Sequence, residues 1–176
     1  MRIFRLLVML ALVGMIALPL QTLAQPKDVE GWSKARWGMT EEQILSAFEG
    51  QVEQFPKTET YQGVYVNLWI RNLDIGGEQY EVRFQMDNKT SQLVQVLIKP
   101  KEGKALSVHF KFLEQMLIEK YGPPSYKNDE HSRTMTQFTC AWNFPTTIIE
   151  LKYTDFKVVE PFFSLTYRPN KKQENL

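Results

Sequence analysis

Val64-Tyr65-Val66-Asn67-Leu68-Trp69-Ile70-Arg71 sets Val64, Val66, Leu68 and Ile70 on one side of an extended chain and Tyr65, Asn67, Trp69 and Arg71 on the other. Side chains of a strand alternate between faces, so this period of two reads as a strand with one apolar and one mixed face. Tyr80, Val82, Phe84 and Met86 repeat the pattern. Gly76-Gly77 and Asp87-Asn88-Lys89 read as hairpin turns, because Gly and Asn tolerate positive φ. A third run, Leu93 to Lys99, is apolar on both sides and leaves its register open.

Working upstream, Met39-Thr40-Glu41-Glu42-Gln43-Ile44 carries the marks of a helix start. Thr40 with Gln43 forms a capping box, Met39 and Ile44 a hydrophobic staple, and Glu41 and Glu42 suit the positive end of the helix dipole. A helix over 41–49 follows, stopped by Gly50. Downstream, Leu106, Phe110, Leu113, Leu117 and Tyr121, with Met116 beside them, give a helical stripe between Lys104 and Tyr121, closed by Gly122-Pro123-Pro124. Alternation then returns in three runs: Phe138, Cys140, Trp142 and Phe144; Ile149, Leu151 and Tyr153; Phe163, Leu165 and Tyr167. The order is a helix and three strands, twice over. It predicts an α+β fold in which two αβββ units form one six-stranded antiparallel sheet, with both helices on the apolar face and the other face open.

At the start of the chain, Arg2 and Arg5 precede an apolar run from Leu6 to Leu20, and Thr22 and Ala24 supply small residues for cleavage. Residues 1–24 therefore read as a signal peptide, 25–168 as one domain, and 169–176 as a polar tail. A run of about 15 residues is short for a membrane span of about 20. The expectation is a periplasmic or secreted protein with no stable span after cleavage, and without a Cys at the cleavage site to take a lipid. Cleavage leaves 19 basic against 20 acidic side chains, a net charge of −1. That balance argues against nucleic acid, whose binding needs clustered Lys and Arg. Cys140 is the only cysteine, so no internal disulfide is formed.

No motif calls for a catalytic residue, a metal or a cofactor. Cys140 alternates in phase with Phe138 and Trp142 and points inward, which suits packing better than nucleophilic work with His109 or His131. Asn128-Asp129-Glu130-His131 lacks metal-ligand spacing, and Glu78 and Glu81 fall on opposite faces of a strand. Trp32 and Trp37 bracket the first helix and are expected to pack it onto the sheet. The mixed sheet face is more informative, because Tyr, Trp, Met and Arg are the residue types enriched at protein interfaces. Its candidate partner-binding residues are Tyr65, Trp69, Arg71, Arg83, Met135, Lys152 and Arg168.

The Trp37-Gly38-Met39-Thr40 lead-in and the Lys120-Tyr121-Gly122-Pro123-Pro124 exit resemble those of small uncharacterised bacterial exported proteins. The element order is similar to that of β-lactamase-inhibitor-like and outer-membrane-assembly lipoprotein domains. The resemblance implies extracytoplasmic binding or scaffolding, with another envelope protein as partner. Two other readings stand beside this non-enzymatic interaction module: a small-ligand or lipid carrier with a pocket between helices and sheet, and a hydrolase of unrecognised type.

Overall fold

Each of the six alternating runs becomes a strand in the computed structural model, which describes residues 28–101 and 107–171. The signal peptide expected over residues 1–24 lies outside the described residues. In chain order the elements are β1 (Gly31–Trp32), β2 (Ala35–Arg36), α1 (Glu41–Phe48), β3 (Glu53–Thr60), β4 (Val64–Ile75), β5 (Glu78–Asp87), β6 (Leu93–Pro100), α2 (Ser107–Tyr121), β7 (Tyr126–His131), β8 (Thr136–Asn143), β9 (Thr147–Asp155) and β10 (Phe162–Pro169).

The six-stranded α+β sheet with two helices on one face is overturned. The fold is mostly β: one antiparallel sheet of eight strands, ordered β3-β4-β5-β6-β10-β9-β8-β7, plus the small β1–β2 hairpin. Each half is a helix followed by a four-stranded meander, and the halves meet where β6 pairs with β10. The strands that alternation does not reveal are the two edges, β3 and β7. Their sequences, Glu-Gln-Phe-Pro-Lys-Thr-Glu-Thr and Tyr-Lys-Asn-Asp-Glu-His, are polar and mostly exposed on both sides. A polar, charged edge with a proline also blocks unwanted pairing with other chains.

The inner face is closed by three pieces. Ile44 and Phe48 of α1, Phe110, Leu113 and Leu117 of α2, and Ala35 of the hairpin join Val82, Phe84, Ile98, Leu151 and Leu165 in one core cluster. Trp32 stacks on Phe48 at 5.9 Å and meets the edge of Phe84 at 6.2 Å. The second bracket residue, Trp37, donates its indole N–H to Thr147 Oγ1 at 2.9 Å, so both tryptophans tie the first helix region to the sheet. Trp142, nearly fully buried, donates to the carbonyl of Gly122 at 2.8 Å and fixes the end of α2. The expected polar tail is ordered at its start, since Pro169 belongs to β10 and Asn170 bonds the carbonyls of Thr146 and Phe144. No helix among the described residues is long and apolar enough to cross a membrane.

α1 begins as its sequence dictates. Thr40 is the N-cap: its hydroxyl accepts from the Gln43 backbone at 3.4 Å, and the Gln43 side chain accepts from the Thr40 backbone at 2.9 Å. The helix closes one residue earlier than the glycine, at Glu49, which takes the left-handed conformation before Gly50 does the same. Replacing Thr40 with Ala orphans one helix donor, and is expected to lower unfolding free energy by about 1 kcal/mol. Chemical denaturation checks this, and an unchanged midpoint would show that the box contributes nothing.

Candidate functional site

Both helices and the β1–β2 hairpin pack on the side of Phe84 and Ile98, and no element lies over the opposite side among the described residues. Strand pairing assigns that outer side. Trp69 stands opposite Arg83, Arg83 opposite Leu97, Leu97 opposite Thr166, Thr166 opposite Glu150, and Glu150 opposite Ala141.

At the β3–β4–β5 end the face carries an aromatic and ionic cluster. Phe55 of β3 meets Trp69 edge-on at 4.6 Å. The Arg71 guanidinium lies 5.1 Å from the centre of the Trp69 ring, and that of Arg83 lies 4.9 Å from the centre of Phe55. Arg83 also donates from Nε to Glu81 Oε1 and from Nη1 to Glu59 Oε2, both at 2.6 Å. Lys99 reaches Glu81 at 3.1 Å, Tyr61 donates its hydroxyl to Glu59, and Arg71 lies 3.6 Å from Glu53. Burial works against the Arg83 charge, but Glu81 and then Glu59 outweigh it and hold Arg83 above its ordinary range. Its side chain is only 12% exposed, so its charge is already spent within the sheet. Trp69 is half-buried, and its Nε1 has no hydrogen-bond partner among the described residues.

The seven residues predicted for this face do not all reach it. Trp69, Arg71 and Arg83 come together in the cluster. Lys152 lies farther along, between Thr139 and Ser164, and Arg168 is exposed opposite Ile148. Tyr65 departs because β4 and β5 slip register between Val66 and Leu68. An extra residue at a bulge reverses which face the following side chains take. Tyr65 therefore pairs with the core residue Met86 and packs against the core, with Glu41 of α1 and Ser91 at its hydroxyl. Met135 lies in the turn between β7 and β8, held by Ser132, whose hydroxyl accepts the Met135 amide at 3.0 Å. Phe55, Glu59 and Tyr61 complete the cluster but escape sequence reasoning, because β3 shows no alternation that would place Phe55 and Glu59, and Tyr61 lies in the turn after it.

Burial, then the Glu114 carboxylate beside it, push the Cys140 thiol up to about 12, and its Sγ lies 3.2 Å from Glu114 Oε1. Glu114 also takes Lys127 at 2.7 Å, and its negative charge beside Cys140 disfavours the thiolate. His131 lies on edge strand β7, with its ring 5.4 Å from that of Phe138. Among the described residues no group of three His, Cys, Asp or Glu side chains is placed to hold a metal.

Cys140 and Tyr80 are both held protonated by burial, at about 12 against ordinary values of 9.0 and 10.0. The unfolded chain ionises first, so their contribution to stability is complete below pH 9 and is lost as pH rises towards 12. Urea midpoints should fall across that window. Native protein at pH 9 should resist iodoacetamide, while denatured protein reacts at once. Labelling of native protein at the rate of a free thiol would place Cys140 outside the core.

Comparison of the chain with protein families, with curated proteins and with solved structures finds no match.

Proposed function

We propose that this chain is a non-enzymatic binding module of the bacterial envelope, exported to the periplasm or beyond, which engages another envelope protein through the outer face of its sheet. One observation carries the reading: among the described residues a sheet of eight strands is covered on one side only, and the uncovered side concentrates Phe55, Trp69 and Arg71 at one end. Antiparallel sheets often leave one face to water, but such a face is ordinarily polar throughout. A tryptophan that is part-exposed supplies rigid apolar area to a partner.

The electrostatics suggest what kind of partner. Arg83 and Lys99 are matched by Glu81 and Glu59 within the face, which leaves little net charge to steer an oppositely charged surface. Recognition then rests on aromatic contact and shape, with Arg71 as the exposed cation at the rim.

The test is a photo-crosslinkable residue in place of Leu97 or Lys152, read in native envelopes with and without Trp69→Ala. A discrete adduct is expected from both positions. Trp69→Ala should weaken it by about 2 kcal/mol of binding, roughly thirtyfold. The same substitution should cost about 1 to 2 kcal/mol of folding stability, below the about 3 to 5 kcal/mol of a core tryptophan. An adduct that survives Trp69→Ala undiminished would remove the cluster from the interface.

A further inference from the structure

We propose that the hollow between α2 and the sheet is a binding site for a small amphiphile: an apolar tail of about six to eight carbons, sized against the benzene-binding cavities of proteins, with an anionic head held by Lys120. The site lies on the inner side of the sheet and is independent of the outer-face reading.

The hollow has a volume of about 170 Å³, and its walls include Leu73, Ile75, Leu113, Met116 and Leu117. The hollow opens to solvent beside Lys120, and its apolar walls suit a greasy ligand. An apolar cavity of about 150 Å³ stays dry and accepts benzene, which sets the scale of the tail.

Among the described residues, Lys120 is the one charged residue on the wall. The ion pairs of the described residues engage Arg36, Arg71, Arg83, Lys99, Lys127 and Lys157, and leave Lys120 with only the Tyr121 ring, 5.0 Å from its Nζ. An ammonium at the rim of an apolar hollow, without a carboxylate partner, favours a ligand that is anionic at one end and greasy at the other.

The helix surface leading to the hollow has the same character. Val108, Phe112 and Met116 follow each other at four-residue spacing, so they share one side of α2, and Lys120 is the next position on that line. All three are large apolar residues left substantially exposed, at 59%, 39% and 39%. The Phe112 ring rests against the turn at Gly76, where a Cβ would stand 2.2 Å from Phe112 Cζ. With Val108 and Gly76 it lines a second hollow of about 230 Å³. Glycine at 76 serves two ends here: it takes the positive φ of the hairpin turn and leaves room for the ring.

Octanoate and 1-octanol, titrated into the full chain and followed by calorimetry and methyl NMR, test the site. Octanoate should bind saturably and shift the methyls of Leu73, Ile75 and Leu113 while leaving those on the outer face unmoved. Lys120→Met keeps the apolar stem and removes the charge; it should weaken octanoate about tenfold and leave octanol unchanged. Met116→Trp should fill the hollow and abolish both. Absence of saturable octanoate binding to the unmodified chain would overturn the site itself. Octanoate binding that is indifferent to Lys120→Met would overturn the anionic head, and shifts on the outer face alone would move the ligand elsewhere.

Discussion

The pairing of β6 with β10 holds this molecule together. Only three residue pairs join those strands, Leu165 with Ile98, Thr166 with Leu97 and Tyr167 with Val96, yet they form the sole backbone seam between the two halves of the sheet among the described residues. The seam makes the core continuous, because Val96, Ile98, Leu165 and Tyr167 all bury their side chains on its inner side. It also dictates the rest of the topology. For the last strand of the second half to return to the centre, its first strand must lie at the far edge, and α2 is the segment that carries the chain across. β3 and β7 are thereby left as the two edges.

That geometry explains how much of the fold was legible. Alternation records burial of one face, so the six inner strands announce themselves and the edges, which bury neither face, do not. Phe55 is the costliest omission: isolated in a polar edge strand, it gives no sequence signal of its contact with Trp69. Tyr65 fails for another reason, since a bulge adds one residue and a strict period of two cannot see it. Thr40 and Gln43, by contrast, form a box whose partners are three residues apart and need no tertiary information. The outer face was legible at Trp69 and Arg83 because they pair between the two irregularities of the β4–β5 ladder, where the phase is regular. A pocket between helices and sheet was among the readings of the sequence, but its walls were not legible, since Leu73 and Ile75 of β4 meet Leu113 and Leu117 of α2 only in the folded chain.

The two sides of the sheet follow different physical logic. Inside, aromatic and aliphatic packing dominates, and polar groups such as the Trp142 indole and the Cys140 thiol are engaged by neighbours or kept neutral. Outside, charges are tolerated because they are matched: Arg83 lies between two carboxylates, and removing either would leave a part-buried cation short of compensation. Such a network fixes the shape of the face while leaving little net charge on it. The aromatic pair at its edge then stands on a rigid platform, which under the proposed function would lower the entropy lost on docking.

Everything said of the outer face rests on its being uncovered, and solvent paramagnetic relaxation of methyl groups measures that directly. Leu97 and Ile98 are neighbours in β6, and Ile148 and Ile149 are neighbours in β9; in each pair the first faces out and the second is buried in the core. A soluble paramagnetic agent should broaden the methyls of Leu97 and Ile148 strongly and leave those of Ile98 and Ile149 sharp. Equal protection of all four would mean that a second layer covers the outer face, and would contradict the account.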